Sequence, residues 1–538
     1  METKDRDIVK VSIEEKLTEI VSGFGRYQIW QSVLAILPVV CTAMSNTNFV
    51  FAAASGNYRC AVPECGSSNV SFLSTLSNLT NDRCYRPLFH HDSCSPENFD
   101  KEISCNKWIY EEKNSFVAEF DLACQEWKRT LVGTIHNLGV LVSMPLMGFV
   151  SDRWGRRTAI MISSLSLCVG AFKTLVTTGP TGYLQYVLIE FIEALLVTGT
   201  YTTCFVLIVE IIGSDKRIIG AAAVGSSVAI GELILDFIVW NVPYWRKFFL
   251  IIYCPAPIFI IYVYILEESM RWLLTTGRKD KALIVLQKIA TWNKFAITCN
   301  VIDEVNKETL EITQETASAT EKFTIKLLVS SPILLKRVIV CSWWWFTAAF
   351  VYYGLMINSV SLPGNKYANF GLTSFVTIPG DIIAVITLDR IGRRKTLLGG
   401  FLFCGVCCVG IGFIPTDHKI ASVAMFLIGK LSISACFNSV YVYTSELVPT
   451  SARGSLVGIC SMVARVGTVL APLTPLLTLA ELFSPHKGLE FLQSDFWRSF
   501  PTLIFGVTSL TAAMLTLATP ETLRRRLPDT IAEAAAMS

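Results

Sequence analysis

Apolar residues in this chain gather in long uninterrupted runs, not in the alternation of a half-buried strand or the stripe of a surface helix; the first runs from Ile29 to Ser55. A helix needs about 20 mostly apolar residues to cross the hydrocarbon core of a bilayer. Twelve stretches of that kind are centred near 41, 141, 168, 195, 229, 256, 346, 377, 405, 432, 467 and 508. They fall as one, then five, then six, with long polar segments between the groups. The pattern predicts an all-α membrane protein of twelve transmembrane helices. Its expected parts are an N-terminal segment (1–28), a first span (29–54), a large loop (55–129), spans two to six (130–267), a linker (268–335), spans seven to twelve (336–519) and a tail (520–538). The first run is too long for the h-region of a cleavable signal peptide and is expected to be retained.

Composition agrees: 52% hydrophobic and 17% charged residues, with a mean hydropathy of +0.49, exclude an ordinary soluble domain. The basic residues sit in short connections, "SDRWGRR", "GSDKR" and "DRIGRRK", and in "LRRRLPD" near the C-terminus. Because Lys and Arg collect in cytoplasmic loops, both termini and the 268–335 linker are expected in the cytoplasm of a multi-pass plasma-membrane protein. The 55–129 segment then faces outward. It carries the two glycosylation sequons, at Asn69 and Asn78, and six cysteines, Cys60, Cys65, Cys84, Cys94, Cys105 and Cys124. An oxidising exterior favours three disulfides over a zinc site using His90 or His91, and sequence leaves the pairing open among 15 possibilities. In the linker, "DEVNKETLEITQETASATEK" has helix formers without a wide apolar stripe, so short surface helices are expected there.

Two charged knots repeat. Asp152, Arg153, Gly155, Arg156 and Arg157 follow the second span, and Asp389, Arg390, Gly392, Arg393 and Arg394 follow the eighth, 237 residues later. Glu210 precedes Arg217 by seven residues, as Glu446 precedes Arg453. These echoes indicate a duplicated six-span unit forming two pseudo-symmetric bundles, the parallel-repeat pattern of a transporter whose halves rock. A connection this short holds its charges at the helix ends, where Asp152 can meet a helix N-terminus or a guanidinium group. Such clusters, with Gly148 in the preceding turn, read as a latch that holds the halves together on the cytoplasmic side. The same arginines also serve to fix topology.

Charges inside spans are costly, which makes them candidates for function. Glu190 and Glu193 are three apart, Glu232 and Asp236 four apart, so each pair shares a helix face. Asp381, Lys430 and Arg465 complete the set, and Trp345, Phe346, Phe350, Tyr352 and Tyr353 line the seventh span. Five acids against two bases beside aromatic rings suit a small cationic amine or a zwitterion, through cation–π attraction and apolar burial. An organic anion is the alternative, and a receptor that binds without flux is a further one. No nucleophile and base pair, phosphate-cradling loop or metal-ligand spacing points to an enzyme, a cofactor or nucleic acid.

The Asp-Arg-x-Gly-Arg-Arg knots, "GRYQIWQ", "EESMRWLL", "YYGL" and "YTSELVPTSARG" together resemble the organic cation, anion and carnitine transporters of the major facilitator superfamily. The resemblance implies the major facilitator fold and alternating-access transport of small organic ions through the bilayer. It implies gating roles for Glu268 and Arg271, and substrate contacts for Tyr353, Lys430, Phe437 and Arg465, the last matching the anion and carnitine members. Departures from the family pattern are Glu190 at a usual Arg, Ala194 at a usual Gly, Asp381 where anion members have Lys, Thr377 at an acid of the cation members, and Glu267 and Met270 at usual prolines.

Overall fold

The computed structural model describes residues 25–54, 56, 58–61, 84–89, 99–112, 114–212, 217–294, 331–415, 418–449, 453–482 and 500–523. Among the described residues, eleven helices are long and apolar enough to cross a membrane, and a shorter apolar helix near the C-terminal end makes twelve. They are α1 (Arg26–Ala52), α2 (Glu126–Trp154), α3 (Arg156–Leu175), α4 (Gly179–Ile211), α5 (Arg217–Asn241), α6 (Trp245–Ile265), α7 (Pro332–Ser361), α8 (Lys366–Arg390), α9 (Arg393–Ile411), α10 (Lys419–Leu447), α11 (Arg453–Leu470) and α12 (Phe500–Thr516). Each knot sits at a glycine that only a residue without Cβ can occupy comfortably. Gly155, between α2 and α3, has φ 100°, and Gly392, between α8 and α9, has φ 107°. The chain reverses there without a longer loop.

The helices pack as two halves, each with its own core: Leu235, Phe248, Phe249, Tyr253 and their neighbours in the first, Trp344, Phe401, Tyr443 and Phe505 in the second. Small residues set the closest approaches, because lipid offers no hydrophobic drive and packing must supply the contact energy. A Cβ on Gly405 of α9 would come within 3.1 Å of the Gly506 carbonyl of α12. Across the halves α2 meets α11, and α5 meets α8.

Among the described residues, the loop after α1 contains four short strands: β1 (Tyr58–Cys60), β2 (Tyr85–Phe89), β3 (Phe99–Ser104) and β4 (Trp108–Tyr110). β1 pairs antiparallel with β4, and β2 with β3. Disulfides join Cys60 to Cys105 and Cys84 to Cys124. Cys65, Cys94, Asn69 and Asn78 lie outside the described residues. At this loop end the halves touch through aromatic rings: Phe51 against Phe370 at 4.7 Å and against Tyr367 at 5.9 Å, and Trp240 stacked on Tyr367 at 6.0 Å.

At the opposite, knot end, two surface helices, Met270–Thr275 and Lys279–Asn293, are the described part of the linker. Tyr27 joins their apolar core. The Tyr27 N–H donates to Asn293 Oδ1 at 3.1 Å, and the Glu267 N–H donates to Gln31 Oε1 at 3.1 Å. The "GRYQIWQ" and "EESMRWLL" motifs therefore bind each other, and this part of the linker is fastened to the first half.

Candidate functional site

A cavity lies between the halves, lined from both of them. The first half contributes Thr42 and Asn46 from α1, His136 and Asn137 from α2, Tyr201 from α4 and Glu232 from α5. The second contributes Tyr352 and Tyr353 from α7, Asp381 from α8, Phe437, Asn438 and Tyr441 from α10, and Arg465 from α11. The 3.6-residue period of each helix turns one side of it to this space. Asn438 Nδ2 donates to Asp381 Oδ1 at 2.7 Å. Tyr352 lies 5.5 Å from Phe437, and Phe437 lies 6.0 Å from Tyr441, so aromatic faces run beside the two carboxylates.

Other predicted site residues sit behind this lining. Lys430 is fully buried, its Nζ 3.1 Å from the centre of the Tyr352 ring and donating to the Tyr352 carbonyl at 3.1 Å. Trp345 donates to Thr444 Oγ1 at 3.0 Å and backs Tyr441, their rings 4.1 Å apart. Asp236 is placed at the contact of α5 with α8, where the absence of a side chain on Gly371 makes room for its carboxylate.

Glu190 and Glu193 do not line the cavity; they are fully buried inside the first half. Lys173 of α3 reaches both, at 2.8 Å to Glu190 and 2.5 Å to Glu193. His136 Nδ1 lies 2.8 Å from the other Glu190 oxygen, and Ser45 donates to Glu193. Sequence reading missed Lys173 and His136. Lys173 in the apolar run "GAFKTLV" was the available signal.

With this geometry in place, known proteins can be compared. The profile described as "Sugar (and other) transporter" matches residues 88–525. The chain belongs to the sugar (and other) transporter family. Within the major facilitator superfamily, its relatives include organic cation and anion transporters. It is 30% identical to the "Organic cation transporter protein" of Drosophila melanogaster over 94% of this chain and 92% of that one. It is 30% identical to "Solute carrier family 22 member 3" of Mus musculus, covering 86% and 78% of the two chains. It is 26% identical to "Solute carrier family 22 member 6" of Mus musculus, covering 96% and 93%. The fold is that of the proton:xylose symporter XylE, with a TM-score of 0.61 at 16% identity over 95% of this chain and 98% of that one. This is a family of multi-pass membrane transporters and not of enzymes.

The family's repeated knots take up the same bonds twice. Arg156 pairs with Glu210 at 3.1 Å and with Asp152 at 3.1 Å, while Arg393 pairs with Glu446 at 3.1 Å and with Asp389 at 3.7 Å. Glu268 Oε1 accepts from the Arg156 N–H at 2.8 Å and from the Arg157 N–H at 3.2 Å. Glu521 accepts from the Arg393 and Arg394 N–H groups at 2.9 and 3.1 Å. A carboxylate thus caps the first N–H groups of α3 and of α9, where the helix dipole favours negative charge. Burial pushes the Glu268 carboxyl above the ordinary carboxylate range, and the N–H groups of Ser269, Arg157 and Arg156 draw it back. Sequence reading paired Asp152 with either a helix N-terminus or a guanidinium group; the partner is the guanidinium group, and Glu268 takes the terminus.

The expected latch between halves is not formed in this state: among the described residues, the knots' ion pairs stay within their own half. Arg153, Arg271 and Arg390 point to the surface, and Gly148 faces open space. The side chains of Arg217 and Arg453 lie outside the described residues.

A second cavity opens at the loop end and is lined by Arg129, Lys366 and Pro472 among others. Phe49 and Ile357 line both cavities and form the partition between them.

Proposed function

We propose that this chain carries small organic cations and zwitterions across the plasma membrane by alternating access. The observation that carries the reading is the pairing of Glu232 and Asp381 with the rings of Tyr352, Tyr353, Phe437 and Tyr441, against the single fixed cation Arg465. Carboxylates among aromatic faces hold an organic cation by charge and cation–π attraction while its apolar parts leave water. Arg465, which lines the cavity beside Tyr353, is assigned the carboxylate of a carnitine-like or acylated-amine substrate. Glu190 and Glu193 are assigned no substrate contact. The knots and both termini are placed in the cytoplasm, with Asn69 and Asn78 glycosylated outside. In the opposite phase of the cycle, when the loop end opens, the two knots meet and latch the cytoplasmic side.

The second reading, an organic anion carrier, rests on Arg465 alone. Uptake of labelled tetraethylammonium, carnitine and para-aminohippurate by cells expressing the chain separates the two. Flux of tetraethylammonium or carnitine supports the proposal, para-aminohippurate alone supports the second reading, and binding without flux removes both.

A further inference from the structure

We infer that His136 is a proton site facing the transport cavity, and that the protein exchanges one proton on this ring for one organic cation. The inference rests on the reading of the cavity as an organic-cation site.

The argument begins with a count of charge. Lys173, Glu190 and Glu193 have no exposed surface, so their charges must balance nearly among themselves. Two carboxylates and one ammonium leave one negative charge over. An uncompensated charge in a buried, low-dielectric site is expensive, and the group that can cancel it is already in place. His136 is 2% exposed, and its Nδ1 touches Glu190 at 2.8 Å. As an imidazolium it donates Nδ1–H to Glu190 and brings the cluster to neutrality.

The other ring nitrogen gives this proton a route. His136 Nε2 is buried and has no hydrogen-bond partner among the described residues, while His136 itself lines the cavity. The ring therefore connects a sealed cluster to the space that receives substrate. Groups on four helices bear on its charge. α1 supplies Ser45 and the Phe49 ring at 5.4 Å, α3 supplies Lys173, α4 supplies Glu190 and Glu193, and α6 supplies Tyr253, whose hydroxyl accepts from Asn48 at 2.7 Å. Glu232, Asp381 and Arg465 line the same cavity.

The exchange follows from this arrangement. When the Nε2–H bond breaks, its electron pair stays on the nitrogen and the proton passes to cavity water. The cluster then shows one net negative charge to the cavity. An organic cation among the aromatic rings compensates that charge in the proton's place, and when the cation leaves, the proton returns. The two charges occupy the cavity in alternation, so one half-cycle carries the cation and the other the proton. Glu190 is the residue that makes the proton necessary: without its charge Lys173 and Glu193 would balance each other and the cluster would need no imidazolium.

Two measurements on the full chain in lipid test this. In protein labelled with 15N-histidine, the His136 signal, identified by its loss in His136→Gln, is expected to show both ring nitrogens protonated at neutral pH without substrate. It is expected to become a neutral ring on addition of tetraethylammonium. In proteoliposomes, an acid interior is expected to drive tetraethylammonium inward with alkalinisation of the lumen. One proton per cation lets a gradient of one pH unit support about tenfold accumulation. His136→Gln alone leaves a buried charge and endangers folding, so the decisive variant combines His136→Gln with Glu190→Gln, which keeps the cluster neutral. Its uptake is expected to lose the response to the gradient. A neutral His136 ring in the substrate-free protein overturns the inference. Tetraethylammonium uptake indifferent to the gradient also overturns it and leaves organic-cation transport standing, whereas no movement of tetraethylammonium, carnitine or para-aminohippurate removes both.

Discussion

Arg465 lines the cavity with its Nε unbonded among the described residues, in a lining that also holds Asp381 and Glu232. Removing it should affect substrates unequally. Arg465→Ala is expected to lower uptake of carnitine steeply, since truncating one partner of a buried charge pair costs roughly 2 to 5 kcal/mol, and to spare or raise uptake of tetraethylammonium. Asp381→Asn is expected to do the reverse, because Asn438 then faces a neutral amide. Equal loss of both substrates in both variants, with the protein still in the membrane, would show that the pair serves folding or gating. At this scale the sequence was only partly legible. Charged residues in apolar runs announced themselves, but which of them face the cavity depends on helix rotation. Glu190 and Glu232 look alike in sequence, and Lys173 decides between them by neutralising the first.

At the scale of the element, the joints between α2 and α3 and between α8 and α9 depend on glycines and capping carboxylates. Gly155 combines φ 100° with ψ 160°, a region open almost only to glycine, so Gly155→Ala is expected to cost about 1 to 3 kcal/mol of stability. The same change pushes against Glu268. Glu268→Ala removes a helix cap and is expected to cost about 1 kcal/mol; Glu521→Ala should match it, since the two caps are equivalent. Thermal unfolding of the purified variants checks all three, and a Glu521→Ala protein as stable as wild type would end the equivalence. The repeat of the knots was plain in the sequence at an offset of 237. The caps were not: Glu268 and Glu521 stand far along the chain from the helices they cap, and only folding brings them there. Glu268 drew notice through "EESMRWLL", Glu521 through nothing.

For the molecule as a whole, the halves are joined at the loop end by Phe51, Tyr367, Phe370 and Trp240, and Phe49 and Ile357 divide the two cavities. Tyr367→Ala removes ring contacts to both Phe51 and Trp240 and should shift the population toward a state open at that end. A cysteine placed at Ile357 is then expected to react faster with a membrane-impermeant maleimide; an unchanged rate would mean that these rings do not hold the gate. In the loop itself, non-reducing peptide mapping is expected to recover the Cys60–Cys105 and Cys84–Cys124 pairs, and a different pairing would overturn the strand arrangement around them.

The sequence by itself located twelve apolar stretches, whose centres fall within the helices of the fold, and the repeat of the charged knots. These follow from segment composition, because lipid requires each crossing to satisfy its own backbone hydrogen bonds within a single apolar run. Tertiary structure alone decided the pairing of the described cysteines, the end at which the halves meet, and which buried charges face substrate and which face one another. Those outcomes depend on how helices far apart in sequence rotate and pack, and a one-dimensional pattern holds no record of rotation: Lys173, Glu190 and His136 become a single charge-sharing group only when α2, α3 and α4 are brought side by side.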